Sequence, residues 1–375
     1  MYKVTITPHW KIAQQADPSL DMAMLLQLLL AIQQGGSIAK AAVGAGLSYR
    51  HAWGLLRAAE NHFGDALMDK GRGRGTSLTP LAEKLIWAER RIAARLSPIL
   101  ESLSSELERE LNKTLAGKSG AIRLHASHGF AVAALLKEMH EAKLPIELRY
   151  RNSTDAVAAL FRGECDLAGF HVPLGEFERL AVAQYAQWLN PKTHCLLHLA
   201  VRRQGLFVAA GNPLALHGLP DLARSGVRFV NRQAGSGTRM LLDLMLAGAA
   251  LSPDAVNGYQ SAEFTHSAVA AYIASGMADV GFGVETAAQR FGLDFIELAR
   301  DRYFFALPLA ALDDPWIRQA LIILQSSTFG ATVDALAGYD AAETGKILSL
   351  AEAFGAGIGR KAPARPKQAR RAPAA

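Results

Sequence analysis

Residues 36–63 read GSIAKAAVGAGLSYRHAWGLLRAAENHF, and this stretch decides the fold of the first part of the chain. Ser37 is a favourable N-cap for a short helix, and the glycines that end this helix allow a tight turn. Ser48 caps the next helix, Tyr49 to about Phe63, in which apolar residues recur at helical spacing. A further amphipathic helix, Leu20 to Ile32, precedes both. Three short helices with a glycine-rich turn between the second and third are typical of a helix-turn-helix.

The residues that follow predict a wing. Residues 67–80, LMDKGRGRGTSLTP, contain two short extended pieces around a glycine-rich basic tip. Basic side chains on such a tip suit phosphate or minor-groove contacts, whereas the start of the last short helix suits a major groove. The alternative is an ordinary solvated helix carrying two arginines. We predict binding to double-stranded operator DNA through Ser37, Ser48, Tyr49, Arg50, His51, Arg57, Lys70, Arg72 and Arg74.

A long helix follows the predicted winged helix-turn-helix domain, which we place at residues 1–80. Pro80 suits the first turn of a helix, and leucines and isoleucines recur at heptad spacing through residues 81–117. Such a seam predicts a partner helix, and hence a homodimer or homotetramer. Pro98 interrupts the pattern, so we expect a kink or a break there.

The net charge of +6, from 40 Lys and Arg against 34 Asp and Glu, is unevenly distributed. Residues 1–117 hold 14 basic and 11 acidic side chains, and residues 118–359 hold 20 and 23. Residues 360–375 hold six basic side chains and no acidic one. The ends of the chain therefore favour a polyanion partner, and the alanine- and proline-rich tail, residues 359–375, is predicted to be disordered.

Cysteine content and hydropathy indicate the compartment. Cys165 and Cys195 are too few for a disulfide framework, so we expect reduced thiols. The start of the chain lacks the pattern of a signal peptide. The longest apolar run, Met22 to Ile32, has about half of the roughly 20 residues that a membrane-spanning helix needs. We expect a soluble cytoplasmic protein without membrane contact.

Residues 118–358 change to short apolar runs separated by helical stretches, which indicates a mixed α/β fold with largely parallel strands. About 240 residues exceed what a single sheet usually organises, so two lobes are expected. The predicted strands are Ile122–Ser127, Ile146–Arg151, Leu167–Val172, Leu196–Val201, Leu206–Ala209, Val227–Asn231, Val280–Val284 and Phe295–Leu298.

Residues 229–239, FVNRQAGSGTR, predict an anion site. The Gly-Ser-Gly-Thr-Arg run lies between a strand and a helix, where backbone N–H groups, two hydroxyls and a guanidinium can converge. The alternative is a capped helix start with a surface arginine. For Glu263 and His266, a hydrogen bond between elements or a helix cap is an equal alternative. The candidate ligand-binding residues are Ser127, Ser153, Thr154, His171, Ser236, Gly237, Thr238, Arg239, Glu263, His266 and Tyr303.

Other site chemistries are disfavoured. His194-Cys195-x-x-His198 lacks the four closely paired ligands that a structural zinc site usually has. Ser127 and His128 are adjacent, but successive strand residues point to opposite faces, so they do not form a nucleophile and base pair. We therefore expect no catalytic residues, no metal and no cofactor, and the protein is not predicted to be an enzyme.

Two family resemblances carry these interpretations further. Residues 36–53, residues 63–68, the glycine-rich wing and Leu78-Thr-Pro-Leu-Ala-Glu resemble the winged helix-turn-helix of the molybdate-dependent ModE regulators, whose layout is similar to that of LysR-type regulators. Residues 121–308, with Asn-Arg-Gln-x-Gly-Ser-Gly-Thr-Arg as the most specific motif, resemble periplasmic-binding-protein-like domains related to molybdate receptors. The resemblance implies a multidomain protein, a winged helix-turn-helix with a linker helix plus a two-lobed α/β domain of type 2 periplasmic-binding-protein fold, with ligand between the lobes.

The resulting functional prediction is a transcription regulator that senses a small anion. The resemblance makes molybdate or tungstate the first candidate and molybdoenzyme or formate-metabolism genes the candidate targets. A small carboxylate such as formate would use the same donors. A cytoplasmic small-anion binding protein with no operator is the alternative from another class, and an enzyme acting on the anion is the third.

Overall fold

The computed structural model describes residues 3–13, 20–70, 76–116 and 120–355. Arg72, Arg74 and the predicted tail, residues 359–375, lie outside the described residues. The first part of the chain forms a helical unit with a two-stranded hairpin. Its elements are β1 (Lys11–Ile12), β2 (Leu20–Asp21), α1 (Met22–Gly35), α2 (Ile38–Gly44), α3 (Tyr49–Phe63), β3 (Met68–Lys70), β4 (Thr76–Leu78) and α4 (Pro80–Ala116).

The predicted helix-turn-helix is confirmed. Helices α1, α2 and α3 bury one apolar face each around a common core, which includes Leu25, Ala41 and Leu56. Ser48 caps α3, because its side-chain oxygen accepts a hydrogen bond from the His51 N–H at 3.2 Å. Strands β3 and β4 pair antiparallel as the predicted wing.

Helix α4 has 37 residues, and it continues through Pro98. Of the two expected outcomes at Pro98, the break is therefore wrong, and the kink stays a prediction. The beginning of α4 belongs to the core of the helix-turn-helix unit through Leu85 and Ile86. Its later turns lie against the second part of the chain, so this helix connects the two parts.

The second part contains one mixed ten-stranded sheet with helices on its faces. Its strands are β5 (Ile122–Ala126), β6 (Ile146–Tyr150), β7 (Leu167–Pro173), β8 (His194–Val208), β9 (Phe229–Arg232), β10 (Ala262–Glu263), β11 (Val280–Val284), β12 (Asp294–Pro308), β13 (Tyr339–Asp340) and β14 (Ile347–Ser349). Its α-helices are α5 (Phe130–Glu141), α6 (Ser153–Phe161), α7 (Glu178–Tyr185), α8 (Gly237–Gly248), α9 (His266–Ala274), α10 (Glu285–Arg290), α11 (Pro315–Leu324), α12 (Ser327–Asp334) and α13 (Leu350–Phe354). Three 3₁₀ helices span Leu219–Ala223, Pro253–Ala255 and Leu309–Asp313.

Two long antiparallel strands, β8 and β12, join two lobes. In the first lobe the parallel strands β6, β5 and β7 lie beside the end of β12. In the second lobe the parallel strands β10, β9 and β11 lie beside the end of β8. The predicted two-lobed architecture is thus confirmed.

The lengths of the crossing strands differ from the prediction. The predicted strands Leu196–Val201 and Leu206–Ala209 form the single strand β8, and the strand predicted at Phe295–Leu298 continues to Pro308. The polar residues between the predicted pieces of β8 stay in the sheet because Arg202 and Gln204 both bind Asp301 of β12. A polar run within one strand therefore divided it into two predicted strands.

Candidate functional site

Four strand-to-helix junctions face each other between the lobes. Ser127 follows β5 and Ser153 begins α6 in the first lobe, while Ser236 precedes α8 and His266 begins α9 in the second. The carboxyl ends of parallel strands and the N-termini of the following helices meet at such a crevice. The N–H groups of the first helical turn lack intrahelical partners, so the crevice favours an anion.

Three candidate residues of the first lobe form a buried group. The Ser127 hydroxyl lies 2.8 Å from His171 Nε2. Tyr303 of β12 pairs in register with His171 of β7, and their ring centroids are 4.4 Å apart. Ser153 is completely buried at the start of α6, whereas Thr154 is half-buried. The structure therefore brings Ser127, His171 and Tyr303 together.

The second lobe contacts this group through the Gly-Ser-Gly-Thr-Arg run, residues 235–239, of the predicted anion site. Ser236 caps α8 by accepting a hydrogen bond from the Arg239 N–H at 3.2 Å. Thr238 Oγ1 accepts a hydrogen bond of 3.5 Å from Gln204 Nε2, at the strand crossing. A methyl group on Gly237 would lie only 2.6 Å from His171 Cβ, so only glycine allows this approach of the two lobes.

A buried ion pair lies at the strand crossing. Arg202 donates to Asp301 from Nε at 2.9 Å and from Nη2 at 2.6 Å, and Gln204 Nε2 donates to the same carboxylate at 2.7 Å. All three side chains are at most 1% exposed. The charges of Arg202 and Asp301 balance each other, so this pair adds no net charge to the cleft.

Arg232, at the end of β9, supplies the unbalanced charge. Its Nε donates to the Glu263 carbonyl at 3.3 Å and its Nη2 donates to the Phe264 carbonyl at 2.6 Å. Its Nη1 is buried without a hydrogen-bond partner, and no carboxylate pairs with Arg232 among the residues that the structure describes. Burial, and then the charge of Arg202, lower the pKa of Arg232 to about 9. This is a buried cation with one donor free.

Three histidines surround these groups in their neutral form. Burial first, and the charge of Arg232 second, lower the pKa of His128 to about 4. Burial and the charges of Arg202 and Arg232 lower the pKa values of His171 and His266 well below 6.5. The Nδ1 atoms of His171 and His266 are buried without a hydrogen-bond partner. The cluster therefore holds unused polar atoms as well as a positive charge.

Two sequence candidates are engaged elsewhere. The guanidinium of Arg239 binds Asp243 at 2.9 Å and stacks on the Tyr259 ring at 3.9 Å, so it does not join the cleft cluster. Glu263 pairs with Arg95 of α4. This contact corresponds to the alternative named for Glu263 in the sequence analysis, a hydrogen bond between two elements. Sequence reasoning overlooked Arg232, although a charged residue at the end of a predicted buried strand was the signal.

The DNA-binding candidates lie on α3 and the hairpin. Tyr49, Arg50, His51 and Arg57 are exposed along α3, as is the cap residue Ser48. Half-buried Trp53 packs against the core, with the Tyr49 ring 6.3 Å and the Arg57 guanidinium 5.8 Å from its ring. Ser37, before α2, makes no side-chain cap bond, and Lys70 ends β3.

An apolar stripe lies uncovered on α4. Ile99, Leu103 and Leu107 recur every four residues and are 55%, 48% and 41% exposed. Leu85, of the same predicted seam, is instead buried in the helix-turn-helix core. An exposed apolar row of this kind suits contact with a second helix.

Cys165 and Cys195 are buried and unpaired, and burial raises the pKa of Cys195 to about 11. Across the described ranges, no group of three or more His, Cys, Asp or Glu side chains could hold a metal ion. Within the same ranges, no helix combines the length and the hydropathy that crossing a bilayer requires.

Comparison with known proteins agrees with this architecture. A family profile described as "PBP superfamily domain" matches residues 134–325, and one described as "Bacterial regulatory helix-turn-helix protein, lysR family" matches residues 24–83. The uncharacterized protein YvgK of Bacillus subtilis is 31% identical over 215 residues, which cover 57% of this chain and 69% of that protein.

Two further relatives share shorter stretches. The molybdenum transport protein ModE of Herbaspirillum seropedicae is 49% identical over 69 residues, 16% of this chain and 25% of that protein. The molybdenum-pterin-binding protein MopB of Rhodobacter capsulatus is 30% identical over 137 residues, 36% of this chain and 50% of that protein. The chain belongs to the PBP superfamily, and it carries at its N-terminal end, in residues 24–83, a helix-turn-helix domain of the lysR type.

Proposed function

We propose that the cleft between the two lobes binds a small oxyanion, with molybdate or tungstate as the first candidates. The observation that carries this proposal is Arg232, a buried guanidinium with a free Nη1 and no carboxylate partner among the described residues. Burying an uncompensated charge is costly, so such a group is expected to have an ionic partner in the functional state. The molybdenum-related names of two relatives support this choice of anion.

The donors around Arg232 suit an oxyanion. The hydroxyls of Ser127, Ser153, Ser236 and Thr238 and the first N–H groups of α8 and α9 provide donors from both lobes. In the neutral tautomer that carries its hydrogen on Nδ1, the buried Nδ1 atoms of His171 and His266 can donate. A small carboxylate such as formate needs fewer donors and a single positive charge.

The proposal is tested by calorimetric titration of the full chain with molybdate, sulfate and formate. We expect one binding event with molybdate in the wild type and none in Arg232→Met. Arg228→Met is the matched control, because Arg228 is half-exposed and pairs with Asp279 at 2.7 Å. Heat from formate but not from molybdate would identify a small carboxylate, and not molybdate, as the anion of this site. No heat from any of the three would refute the small-anion proposal.

We further propose that α3 reads the major groove of an operator and that α4 joins two subunits through its apolar stripe. Exposed Arg50 lies in the first turn of α3, the part of a recognition helix that contacts bases. The cellular targets proposed here are molybdoenzyme or formate-metabolism genes, and the protein acts as a regulator and not as an enzyme.

The DNA test uses fluorescence anisotropy with the DNA upstream of the protein's own gene. Arg50→Ala is expected to weaken binding about 5- to 150-fold, equivalent to about 1–3 kcal/mol for one base contact. Lys137→Ala is the control and leaves the affinity unchanged, because the Lys137 side chain is exposed on the outer face of α5. Wild-type binding that is equal to that of unrelated DNA at every salt concentration would favour an anion-binding protein with no operator.

A further inference from the structure

The carbonyl of Ala94 in α4 lacks a donor within its helix. In an α-helix this oxygen would accept a hydrogen bond from the N–H four residues later, and that residue is Pro98, which has none. The Thr265 hydroxyl fills the gap by donating to the Ala94 carbonyl at 3.0 Å. Thr265 is completely buried, and its hydroxyl oxygen also accepts from the Ala268 N–H at 2.9 Å as the N-cap of α9. Pro98 therefore creates an attachment point for the second lobe.

An ion pair lies beside this attachment point. Arg95 binds the Glu263 carboxylate from Nε at 2.8 Å and from Nη2 at 2.6 Å. The Glu263 side chain is only 4% exposed, so the pair is largely shielded from water on one side. Consecutive residues of α4 thus hold Glu263 and Thr265 at the same time.

The same short segment holds the arginine of the proposed anion site. The carbonyls of Glu263 and Phe264 accept the two hydrogen bonds of the Arg232 guanidinium, at 3.3 and 2.6 Å. Residues 263–265 therefore contact Arg232 on one side and α4 on the other. A movement of Arg232 toward an anion has a direct path to α4 through one peptide segment.

Helix α4 is also attached to the first lobe, about two to three turns further on. Ser102 Oγ accepts a hydrogen bond from the Tyr150 N–H at 3.1 Å, and Ser105 Oγ accepts one from the Leu148 N–H at 2.7 Å. These N–H groups belong to β6, the edge strand of the sheet, and the Tyr150 ring lies 5.0 Å from the ring of His128 at the cleft. Because α4 spans both lobes, any change in their separation acts on this helix.

We propose that residues 263–265 couple anion binding at Arg232 to the position of α4, and through α4 to DNA binding. Arg95 and Thr265 act in this inference as positioning residues that do not touch the anion. The inference rests on the proposed function. Coupling of this kind is reciprocal: if the anion changes the affinity for DNA by a given factor, DNA changes the affinity for the anion by the same factor.

The experiment measures that factor in the full chain. DNA affinity is measured by anisotropy with and without saturating molybdate, and molybdate affinity is measured separately by calorimetry. We expect a wild-type coupling of about 5- to 150-fold, the usual range for allosteric proteins. Arg95→Ala is expected to bring the factor close to one, with molybdate affinity and DNA affinity each within about threefold of the wild type.

Two variants separate coupling from general damage to the interface. Pro98→Ala restores an N–H donor for the Ala94 carbonyl within α4, so it competes with Thr265 and reduces the coupling without destabilising the helix. Arg91→Ala removes a neighbouring contact of α4 with Met277 that does not involve residues 263–265, and it keeps the wild-type factor.

Each outcome decides the inference. A wild-type coupling factor in both Arg95→Ala and Pro98→Ala would overturn the inference while leaving the anion site intact. A loss of coupling in Arg91→Ala equal to that in Arg95→Ala would do the same. A wild type that binds molybdate and DNA without coupling would also overturn it. Absence of molybdate heat in the wild type would overturn the proposed function, and this inference with it.

Discussion

Replacement of Arg232 by methionine tests whether this arginine binds the anion or only stabilises the fold. The two roles predict different changes in the free energy of unfolding. Burial lowers the pKa of Arg232 from the ordinary value of an arginine to about 9, so the folded protein holds an unfavourable charge at neutral pH. At about 1.4 kcal/mol per pH unit, this corresponds to roughly 4–5 kcal/mol, which Arg232→Met removes. The variant also loses two charge-assisted hydrogen bonds, of about 1.5–3 kcal/mol each.

These two contributions are similar in size and opposite in sign. The Glu263 carbonyl keeps a hydrogen bond from the Gln233 N–H at 3.1 Å, so only the Phe264 carbonyl loses its partner. The net change in the free energy of unfolding without anion is therefore expected to stay within about 2 kcal/mol. Asp301→Ala is the contrasting variant, because it leaves Arg202 buried and unpaired and should cost about 3–5 kcal/mol.

Thermal unfolding with and without molybdate measures both quantities. A ligand at 100 times its Kd stabilises the wild type by about 2.7 kcal/mol, and Arg232→Met should gain nothing. Loss of stability in Arg232→Met equal to that in Asp301→Ala would show that Arg232 is structural. A molybdate-dependent rise of Tm in Arg232→Met would show that the anion binds elsewhere.

Three further predictions concern the approach of the lobes, pH and assembly. Gly237→Ala places a methyl group 2.6 Å from His171 Cβ and should weaken molybdate binding, measured by titration, at least about tenfold. Gly330→Ala is the control, because Gly330 has open space around it and its replacement should not change the affinity. Equal molybdate affinities of Gly237→Ala and the wild type would contradict the close approach of the lobes. The pKa of His171 is lowered well below 6.5, so below pH 6.5 the unfolded chain takes up a proton that the folded protein does not. The free energy of unfolding therefore falls toward acid pH by up to about 1.4 kcal/mol per pH unit. Chemical denaturation of His171→Gln should show a shallower fall, and a pH profile identical to that of the wild type would contradict this prediction. Leu103→Glu should halve the mass measured by light scattering or reduce it to that of the monomer. Leu180→Glu is the control, because Leu180 is similarly exposed on α7 and its replacement should not change the mass. An unchanged mass of Leu103→Glu would exclude the α4 stripe as the interface.

The sequence predicted the parts of the fold that local patterns determine. Residues 36–63 combine caps, a glycine turn and helical spacing, and these local signals agree with one another. The continuity of β8 could not be predicted, because Arg202 and Gln204 stay in a buried strand only through Asp301, about a hundred residues later. The uninterrupted α4 has a similar cause, since Thr265 supplies the hydrogen bond that Pro98 removes.

The sequence named the hydroxyl groups of the proposed anion site but not its cation. The Ser236 and Thr238 positions follow from a strand, a glycine loop and a helix start that are adjacent in sequence. Arg239 was the expected guanidinium, yet Asp243 follows it at the spacing of a helical ion pair and neutralises it. The role of Arg232 depends on carbonyls of residues 263 and 264, which only the tertiary structure brings close.

The most direct test of the anion site is a crystal structure grown with tungstate, whose anomalous signal locates the anion without interpretation of shape. We predict one peak between the lobes, within hydrogen-bond distance of Arg232 Nη1 and of the Ser236–Thr238 turn. A peak elsewhere on the protein, with the cleft free of any anion, would contradict the account.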